Sequence, residues 1–307
     1  MALAWGGVGL VAGFAAFPLF IGREDLLNLG FLIFLAVALA QSWNIVGGYA
    51  GQVNLGHAAF FGLGALVTRT LWVVGLPILV ALASGALVAT AFGLLVGGPA
   101  FRLRGAYFAI GTLGLAEILR ITVGNLLPEI STIPAAALAG YNLLPRYYLG
   151  LALATLSVVV VAILARSRLG LGMRAIREDE AAAEASGVGA FSHKLLALTI
   201  STSLAGLAGG VFAYYHVSYY PQHTFSPNWT FDALLIAFIG GVGTVHGPVL
   251  GALFYVLLKE YLAVRLVEVH LLIFGTLFIL VVLLLPGGLV EAWTRTRRLI
   301  YRSDSGP

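Results

Sequence analysis

Apolar runs of membrane-spanning length follow one another along almost the whole chain. A spanning α-helix needs about 20 mostly apolar residues, and ten runs approach or reach that length. They lie near residues 5–22, 27–46, 57–74, 76–100, 105–124, 147–165, 194–215, 230–243, 247–264 and 270–286. One run is short and two are rich in glycine, so we expect some helices to be broken or re-entrant. The sequence therefore predicts an all-α polytopic membrane protein with about ten (eight to ten) transmembrane helices.

Composition excludes most other classes of protein. Hydrophobic residues make up 60% of the 307 residues and charged residues only 10%, which is too little polar surface for a soluble domain. We therefore treat 1–307 as a single transmembrane domain. Cysteine is absent, so the chain offers no disulfide or thiol chemistry. Despite a net charge of +4, we expect no nucleic-acid partner, because the basic residues form no continuous stripe.

The basic residues instead indicate how the chain is oriented. If both termini are cytoplasmic, eleven basic residues fall on the inner side and only Arg23, Arg146 and Arg265 fall in outer loops. The inner residues are Arg102, Arg104, Arg166, Arg168, Arg174, Arg177, Lys194, Arg295, Arg297, Arg298 and Arg302. By the positive-inside rule, we predict cytoplasmic termini, including a basic cytoplasmic tail over 291–307.

Residues 166–193, which we call the coupling segment, form the longest polar stretch on the predicted inner side. From Met173 to Ser186 every residue is compatible with a helix, and Gly187 follows where a left-handed cap is expected. One interpretation is a solvated loop helix. The other is a docking helix, in which Met173, Ile176 and 181–183 offer a flat surface ringed by charges of both signs.

Four stretches together resemble a known family. They are residues 168–187, residues 41–65 (QSWNIVGGYAGQVNLGHAAFFGLGA), residues 104–113 (RGAYFAIGTL) and residues 238–252 (FIGGVGTVHGPVLGA). All four are similar to segments of the branched-chain amino acid permeases of ABC importers. One departure is that the Glu180-Ala-Ala stretch reaches Gly187 one residue later than in importers generally.

The resemblance implies a permease subunit of an ABC importer in a bacterial or archaeal plasma (inner) membrane. Its partners would be a second permease subunit in a heterodimer, two cytoplasmic ATPase subunits and an extracytoplasmic solute-binding protein. The solute would be an amino acid, and membrane lipid would surround the domain. The ATPases would dock on residues of the coupling segment, namely Arg174, Arg177, Glu178, Asp179, Glu180, Ala182, Ala183, Glu184 and Gly187.

The chain carries no G-x-x-x-x-G-K-[ST] phosphate loop, so it has no nucleotide site of that kind. Energy would therefore enter through a partner, and we expect no enzymatic activity of this chain and no cofactor. The six histidines are scattered without an H-E-x-x-H motif, so we expect no metal site.

Polar side chains concentrate where the second run ends and the third begins. The candidate pathway residues are Gln41, Asn44, Gln52, Asn54 and His57, with Ser42 beside them. Such residues can line a water-filled pathway, or they can hydrogen-bond the backbone of a broken turn. Both interpretations need the same residue types, so the sequence leaves them open.

Glycines and isolated charges complete the pattern. Gly243, Gly247 and Gly251 recur every four residues, which favours close helix packing on one face. A faint similarity links 56–65 with 243–252, as in transporters built from two repeats. Among the intramembrane charges, Glu117 and Arg120 are spaced for an ion pair within one helix, whereas Arg69 and Asp232 have no evident partner in the sequence.

Other functions remain open at this stage. Permeases of the same family carry urea or short amides, so the solute is not decided by the resemblance. An autonomous secondary transporter or channel would work without an ATPase and would use an intramembrane carboxylate, for which Glu117 and Asp232 are the candidates.

Overall fold

The computed structural model describes residues 2–20, 22–127, 131–132, 141–265, 273, 275–276, 279 and 287–292. Within these residues the chain forms twelve α-helices and one short β-ribbon. The helices are α1 Ala2–Phe20, α2 Glu24–Asn44, α3 His57–Val73, α4 Ile78–Ala100, α5 Ala106–Leu126, α6 Leu143–Arg166, α7 Arg168–Glu178, α8 Glu180–Ala185, α9 Ala190–Tyr215, α10 Pro221–Thr224, α11 Asn228–Gly240 and α12 Gly247–Arg265. The strands β1 Ser131–Thr132 and β2 Ser218–Tyr219 pair antiparallel.

Five helices in the described part of the chain are long and apolar enough to cross a membrane. They are α2 with the turn that extends it to Tyr49, and α4, α5, α6 and α9. Helix α11 has 13 residues, about 20 Å of helix, which is shorter than a bilayer's hydrocarbon core. The predicted run 270–286 lies almost entirely outside the described residues. A multi-pass, all-α fold is therefore confirmed, whereas the number of crossings stays a prediction.

Helices α2 and α9 form the centre of the bundle. Helix α9 packs against α3 and α4, and α2 packs against α6, α11 and α12. Glycines allow the closest approaches, since a Cβ on Gly64 would lie 2.0 Å from the Gly206 carbonyl oxygen. A Cβ on Gly209 would lie 1.8 Å from the Phe61 carbonyl oxygen. The interfaces of α9 therefore depend on backbones in direct contact.

The outer faces of the peripheral helices are apolar. Leu95 of α4 is 72% exposed, Ile110 of α5 is 66% exposed and Ile163 of α6 is 65% exposed. In water such faces would be unfavourable, but a lipid environment accommodates them without cost. The exposed apolar surface thus agrees with the presence of five helices that are long and apolar enough to cross a membrane.

The bundle has two distinct ends. At one, which we call the coupling end, α7 and α8 lie beside the turns that follow α2 and α11. At the opposite end are the β-ribbon and α10. Buried Arg69 lies there and donates to the carbonyl oxygens of Ala213, His216 and Val217 at 3.2, 3.0 and 2.7 Å. A guanidinium at the end of α9 satisfies carbonyls that the helix leaves unpaired.

Two ion pairs join other charged residues of the apolar helices. Arg120 donates to Glu117 at 2.8 and 2.5 Å, which confirms the predicted pair within α5. Asp232 of α11 accepts from Lys259 of α12 at 3.0 Å and from the Tyr255 hydroxyl at 2.5 Å. The sequence alone did not identify this second pair, because its members lie on different helices.

Candidate functional site at the coupling end

Helix α2 does not end regularly. Beyond Asn44 it continues as a π-helical turn, Ile45–Tyr49, in which the Ala50 N–H donates to the Ile45 carbonyl at 3.2 Å. Glycines permit this turn, since a Cβ on Gly47 would lie 2.4 Å from the Trp43 ring. Gly51 then adopts a positive φ of 69°, which favours glycine. We call residues 50–56, which lead into α3, the first turn.

A second glycine-rich turn, residues 241–246, connects α11 to α12 and lies against the end of α2. The Gly243 N–H donates to the side-chain oxygen of Asn44 at 2.8 Å, and the Asn44 amide donates to the Thr244 carbonyl at 2.9 Å. Gln41 donates to the Val245 carbonyl at 2.7 Å. Two amide side chains of α2 thus hold the second turn in place.

Asn54 and His57 organise the first turn in a similar way. The Gly56 N–H donates to the Asn54 side-chain oxygen at 2.9 Å, and the Trp43 indole donates to the Asn54 carbonyl at 2.8 Å. His57 opens α3 with its Nε2 2.7 Å from the Ser42 hydroxyl. These contacts replace the helical hydrogen bonds that the break between α2 and α3 removes.

The candidate pathway residues are sealed off in this conformation. Gln41, Asn44 and His57 are fully buried, Asn54 is 1% exposed, and only Gln52 is half-buried. The cavity beside Asn54 and Thr112 has a volume of about 10 Å³, room for about one water molecule. For Gln41, Asn44 and Asn54 the contacts favour the interpretation in which polar side chains hydrogen-bond the backbone of the turns. That the candidate residues line a pathway stays a prediction.

Further polar residues contribute to this region and were not identified from the sequence. The Leu55 N–H donates to the Thr112 hydroxyl, and the Ala58 N–H donates to the Thr230 hydroxyl. Ser201 of α9 donates to the Ser42 carbonyl at 2.7 Å. Thr112 lies in the 104–113 stretch that carries the family resemblance, but isolated hydroxyl residues inside apolar runs are common, so the sequence did not indicate the contacts of these three residues.

The coupling segment contains two helices, and the prediction of one helix from Met173 to Ser186 is wrong. Asp179 breaks it with extended backbone angles, and its side-chain oxygen accepts from the Ala182 N–H at 3.0 Å. The carboxylate therefore caps the start of α8. The predicted cap at Gly187 is confirmed, because Gly187 has a φ of 86° and the Val188 N–H donates to the Ala183 carbonyl at 3.0 Å.

The buried face of these two helices differs from the expected docking surface. Met173, Ile176 and Ala183 are buried against the rest of the chain, with Ala183 packed near Ala190. Ala181 and Ala182 are exposed. The predicted flat surface thus loses three members because they anchor the segment to the bundle. The exposed residues of the predicted coupling set are Arg174, Arg177, Glu178, Asp179, Ala182, Glu184 and Gly187.

Two charged residues of the segment also bind within the chain. Glu180 accepts from buried Lys194 of α9 at 2.6 Å. Arg177 donates from Nη1 to the Gly48 carbonyl at 2.5 Å. The coupling segment is therefore attached both to α9 and to the end of α2.

Gly247 and Gly251 lie on α12 where it meets α11. A Cβ on Gly251 would lie 2.1 Å from the Ile236 carbonyl oxygen, and one on Gly247 would lie 2.2 Å from that of Gly241. Gly243 belongs to the second turn, with a φ of 78°. The expectation that it shares a helix face with the other two is wrong, because the helix begins only at Gly247.

Comparison with known proteins now assigns the family. Residues 24–282 match the family described as branched-chain amino acid transport system / permease component. The chain belongs to this permease family. The matched range includes both turns and the whole coupling segment.

Three relatives illustrate the range of the family. The permease is 31% identical to the high-affinity branched-chain amino acid transport system permease protein LivM of Escherichia coli, over 92% of this chain and 74% of that protein. It is 24% identical to a probable LivM of Methanocaldococcus jannaschii, over 87% and 93%. It is 33% identical to the autoinducer 2 import system permease protein LsrC of Enterobacter sp., over 75% and 68%. No solved structure matches the chain.

Proposed function

We propose that this chain is the permease subunit of an ABC importer that moves branched-chain amino acids across the plasma (inner) membrane into the cytoplasm. The family match over residues 24–282 carries the proposal. In this proposal the coupling end faces the cytoplasm, as the concentration of basic residues there favours. Both termini are then cytoplasmic.

Separate ATPase subunits dock on the exposed face of α7 and α8. Two observations support this step. The face presents Arg174, Glu178, Asp179 and Glu184 around the exposed Ala182, and charges of both signs around small residues suit a complementary groove. In addition, the chain has no phosphate loop of its own, so nucleotide must bind elsewhere.

The complete importer contains a second permease subunit and a solute-binding protein outside the membrane. The two permeases form the pathway between them, and the binding protein delivers the solute at the opposite end of the bundle. The small cavity beside Asn54 suits a closed state of such a pathway. Opening would then require the turns at the coupling end to move.

The solute is the least constrained part of the proposal. The relatives named LivM favour branched-chain amino acids, whereas the relative named LsrC belongs to an autoinducer 2 import system. We take leucine, isoleucine and valine as the proposed solutes, because the LivM alignments extend over more of the chain.

Reconstitution tests the proposal. The chain is co-expressed with candidate ATPase, second permease and binding-protein subunits from the same genome, purified by a tag on the permease, and placed in liposomes. We expect the ATPases to copurify and leucine-loaded binding protein to stimulate ATP hydrolysis and leucine uptake. Autoinducer 2, urea and a short amide serve as competing solutes.

Vesicles that contain this chain alone are the control. Leucine uptake without any ATPase would reject the proposal in favour of a secondary transporter or channel. Stimulation by autoinducer 2 or urea and not by leucine would retain the importer but reject the solute.

A further inference from the structure

Arg177 of the coupling segment forms a hydrogen bond with the broken end of α2. Its guanidinium donates to the Gly48 carbonyl at 2.5 Å, at the π-helical turn. This hydrogen bond joins residues 129 positions apart in the sequence. Because the donor is charged, the bond is stronger and more directional than one between neutral groups.

The same residue also fits closely against both turns. A Cβ on Gly51 of the first turn would lie 2.9 Å from Arg177 Cγ and 3.1 Å from its Cα. A Cβ on Gly243 of the second turn would lie 2.4 Å from Arg177 Nη1. Both glycines have positive φ values, 69° and 78°. One arginine side chain thus occupies the space between the two turns.

The second turn is also joined directly to α2. Asn44, which immediately precedes the π-helical turn, bonds to Gly243 and Thr244 of the second turn, and Gln41 bonds to Val245. A displacement of Arg177 therefore acts on α2 and α3 through the first turn and on α11 and α12 through the second. Because a protein interior is close-packed, a displacement at one such contact strains the elements on either side of it.

Other contacts of the segment have a different character. Met173 packs into an apolar cluster with Ile45 and Tyr49, which fixes the segment by burial but without directional bonds. Glu180 is paired with Lys194 on α9, away from both turns. Arg177 differs from Met173 and Glu180 because it lies close to a glycine of each turn, Gly51 and Gly243.

We propose that Arg177 is a positioning residue that transmits movement of the coupling segment to the two glycine turns, and so determines how much solute moves for each ATP hydrolysed by the partner. This inference rests on the proposed function. It assigns to Arg177 a role within the permease, through its contacts with the turns, in addition to any contact that its exposed part makes with an ATPase.

Two variants test the inference in the reconstituted importer. Arg177→Met keeps an unbranched apolar stem but removes the charged donor. Gly243→Ala places a methyl group against Nη1 and leaves the exposed face of α7 and α8 unchanged. We expect both variants to lower the amount of leucine transported per ATP hydrolysed by roughly tenfold, the change that one charge-assisted hydrogen bond makes in a two-state equilibrium. Arg177→Lys should restore part of the ratio.

Matched controls separate this effect from charge and from backbone strain. Arg104→Met removes an exposed positive charge from the connection between α4 and α5, outside the coupling segment. Gly75→Ala also places a side chain at a positive φ, here 101°, where nothing lies within 4 Å of the added Cβ. Both controls should keep the wild-type ratio of transport to hydrolysis.

The outcomes distinguish the two hypotheses. If the ATPases do not copurify with the wild-type permease, the proposed function fails before the inference is tested. If they copurify, and Arg177→Met and Gly243→Ala keep the wild-type ratio, only the inference is overturned. Loss of bound ATPase from Arg177→Met, with a normal ratio in Gly243→Ala, would also overturn it, because Arg177 would then serve docking alone.

Discussion

Buried polar side chains in this bundle bind backbone atoms more often than they bind each other. Arg69 donates to carbonyl oxygens in the last turn of α9 and just beyond it, and Asn44 bonds to an N–H and a carbonyl of the second turn. The hydrocarbon core of a bilayer offers no water to hydrogen-bond buried polar groups. Each polar group left unpaired there would therefore cost several kcal/mol. Many polar residues of the described helices thus satisfy backbone groups, although Gln41 Oε1, Asn54 Nδ2 and His57 Nδ1 are buried without a hydrogen-bond partner among the described residues.

At the residue scale, Ala182 and Ala183 give opposite predictions for the same substitution. Ala182 is exposed, whereas Ala183 is 5% exposed and packs against Ile176 and Ala190. We expect Ala182→Trp to retain the wild-type thermal stability in detergent but to lose copurifying ATPase, because the added ring blocks docking. Ala183→Trp should lower the free energy of unfolding by at least about 1–3 kcal/mol, since the site cannot accept the volume.

These two measurements together test the docking face. If Ala182→Trp retained its ATPase partners and normal transport, the exposed face of α8 would not be the binding surface. Normal stability of Ala183→Trp would contradict the burial described above.

At the scale of elements, Asp179 decides where α8 begins. Its carboxylate caps the Ala182 N–H, and replacing an N-cap residue by alanine costs about 1 kcal/mol. For a helix of six residues that loss is large. We therefore expect Asp179→Ala to increase amide hydrogen exchange over 180–185 and to weaken ATPase binding, while membrane insertion is unchanged.

Asp179→Asn is the matched control, because asparagine caps helices about as well as aspartate. It should preserve the slow exchange over 180–185. Rapid exchange in both variants would show that the charge, and not the cap, holds α8.

The break at Asp179 also explains what the sequence could not predict. Every residue from Met173 to Ser186 is compatible with a helix, so local propensity indicated one helix. The division follows from burial of Ile176 and Ala183 beside Ala190, which depends on where α9 lies. By contrast, Gly187 and the Glu117–Arg120 pair were predicted correctly because their determinants are local, within one turn of helix.

Long-range contacts account for the remaining differences. Asn44 and Gly243 are 199 positions apart, and Arg69 and Val217 are 148 apart. The side chains of Asn44 and Arg69 were evidently polar or charged, but no local pattern identified their partners. The segments at the coupling end were identified, while their mutual arrangement required the packing of α2 against α11 and α12.

The packing of α9 against α3 leads to a second prediction at the scale of secondary-structure elements. A Cβ on Gly209 would lie 1.8 Å from the Phe61 carbonyl oxygen and 3.0 Å from the Ala65 nitrogen. We expect Gly209→Ala to force the two helices apart, which lowers the melting temperature and the yield of monodisperse protein in detergent. Gly114→Ala on α5 is the control, because nothing lies within 4 Å of its added Cβ.

The control should be neutral or slightly stabilising, since alanine is favoured over glycine in a helix by up to about 1 kcal/mol. Equal stability of the Gly209→Ala and wild-type proteins would mean that α3 and α9 do not approach as closely as described.

For the whole molecule, the coupling end and the opposite end must face different compartments. The chain has no cysteine, so single cysteines report orientation without background. Ala185 is exposed at the end of α8, and Tyr220, 54% exposed, precedes α10 at the opposite end. In intact cells we expect a membrane-impermeant maleimide to label Tyr220→Cys, and to label Ala185→Cys only after the membrane is opened. The reverse pattern would place α7 and α8 outside, where no cytoplasmic ATPase reaches them, and would remove the basis for energy coupling at this end.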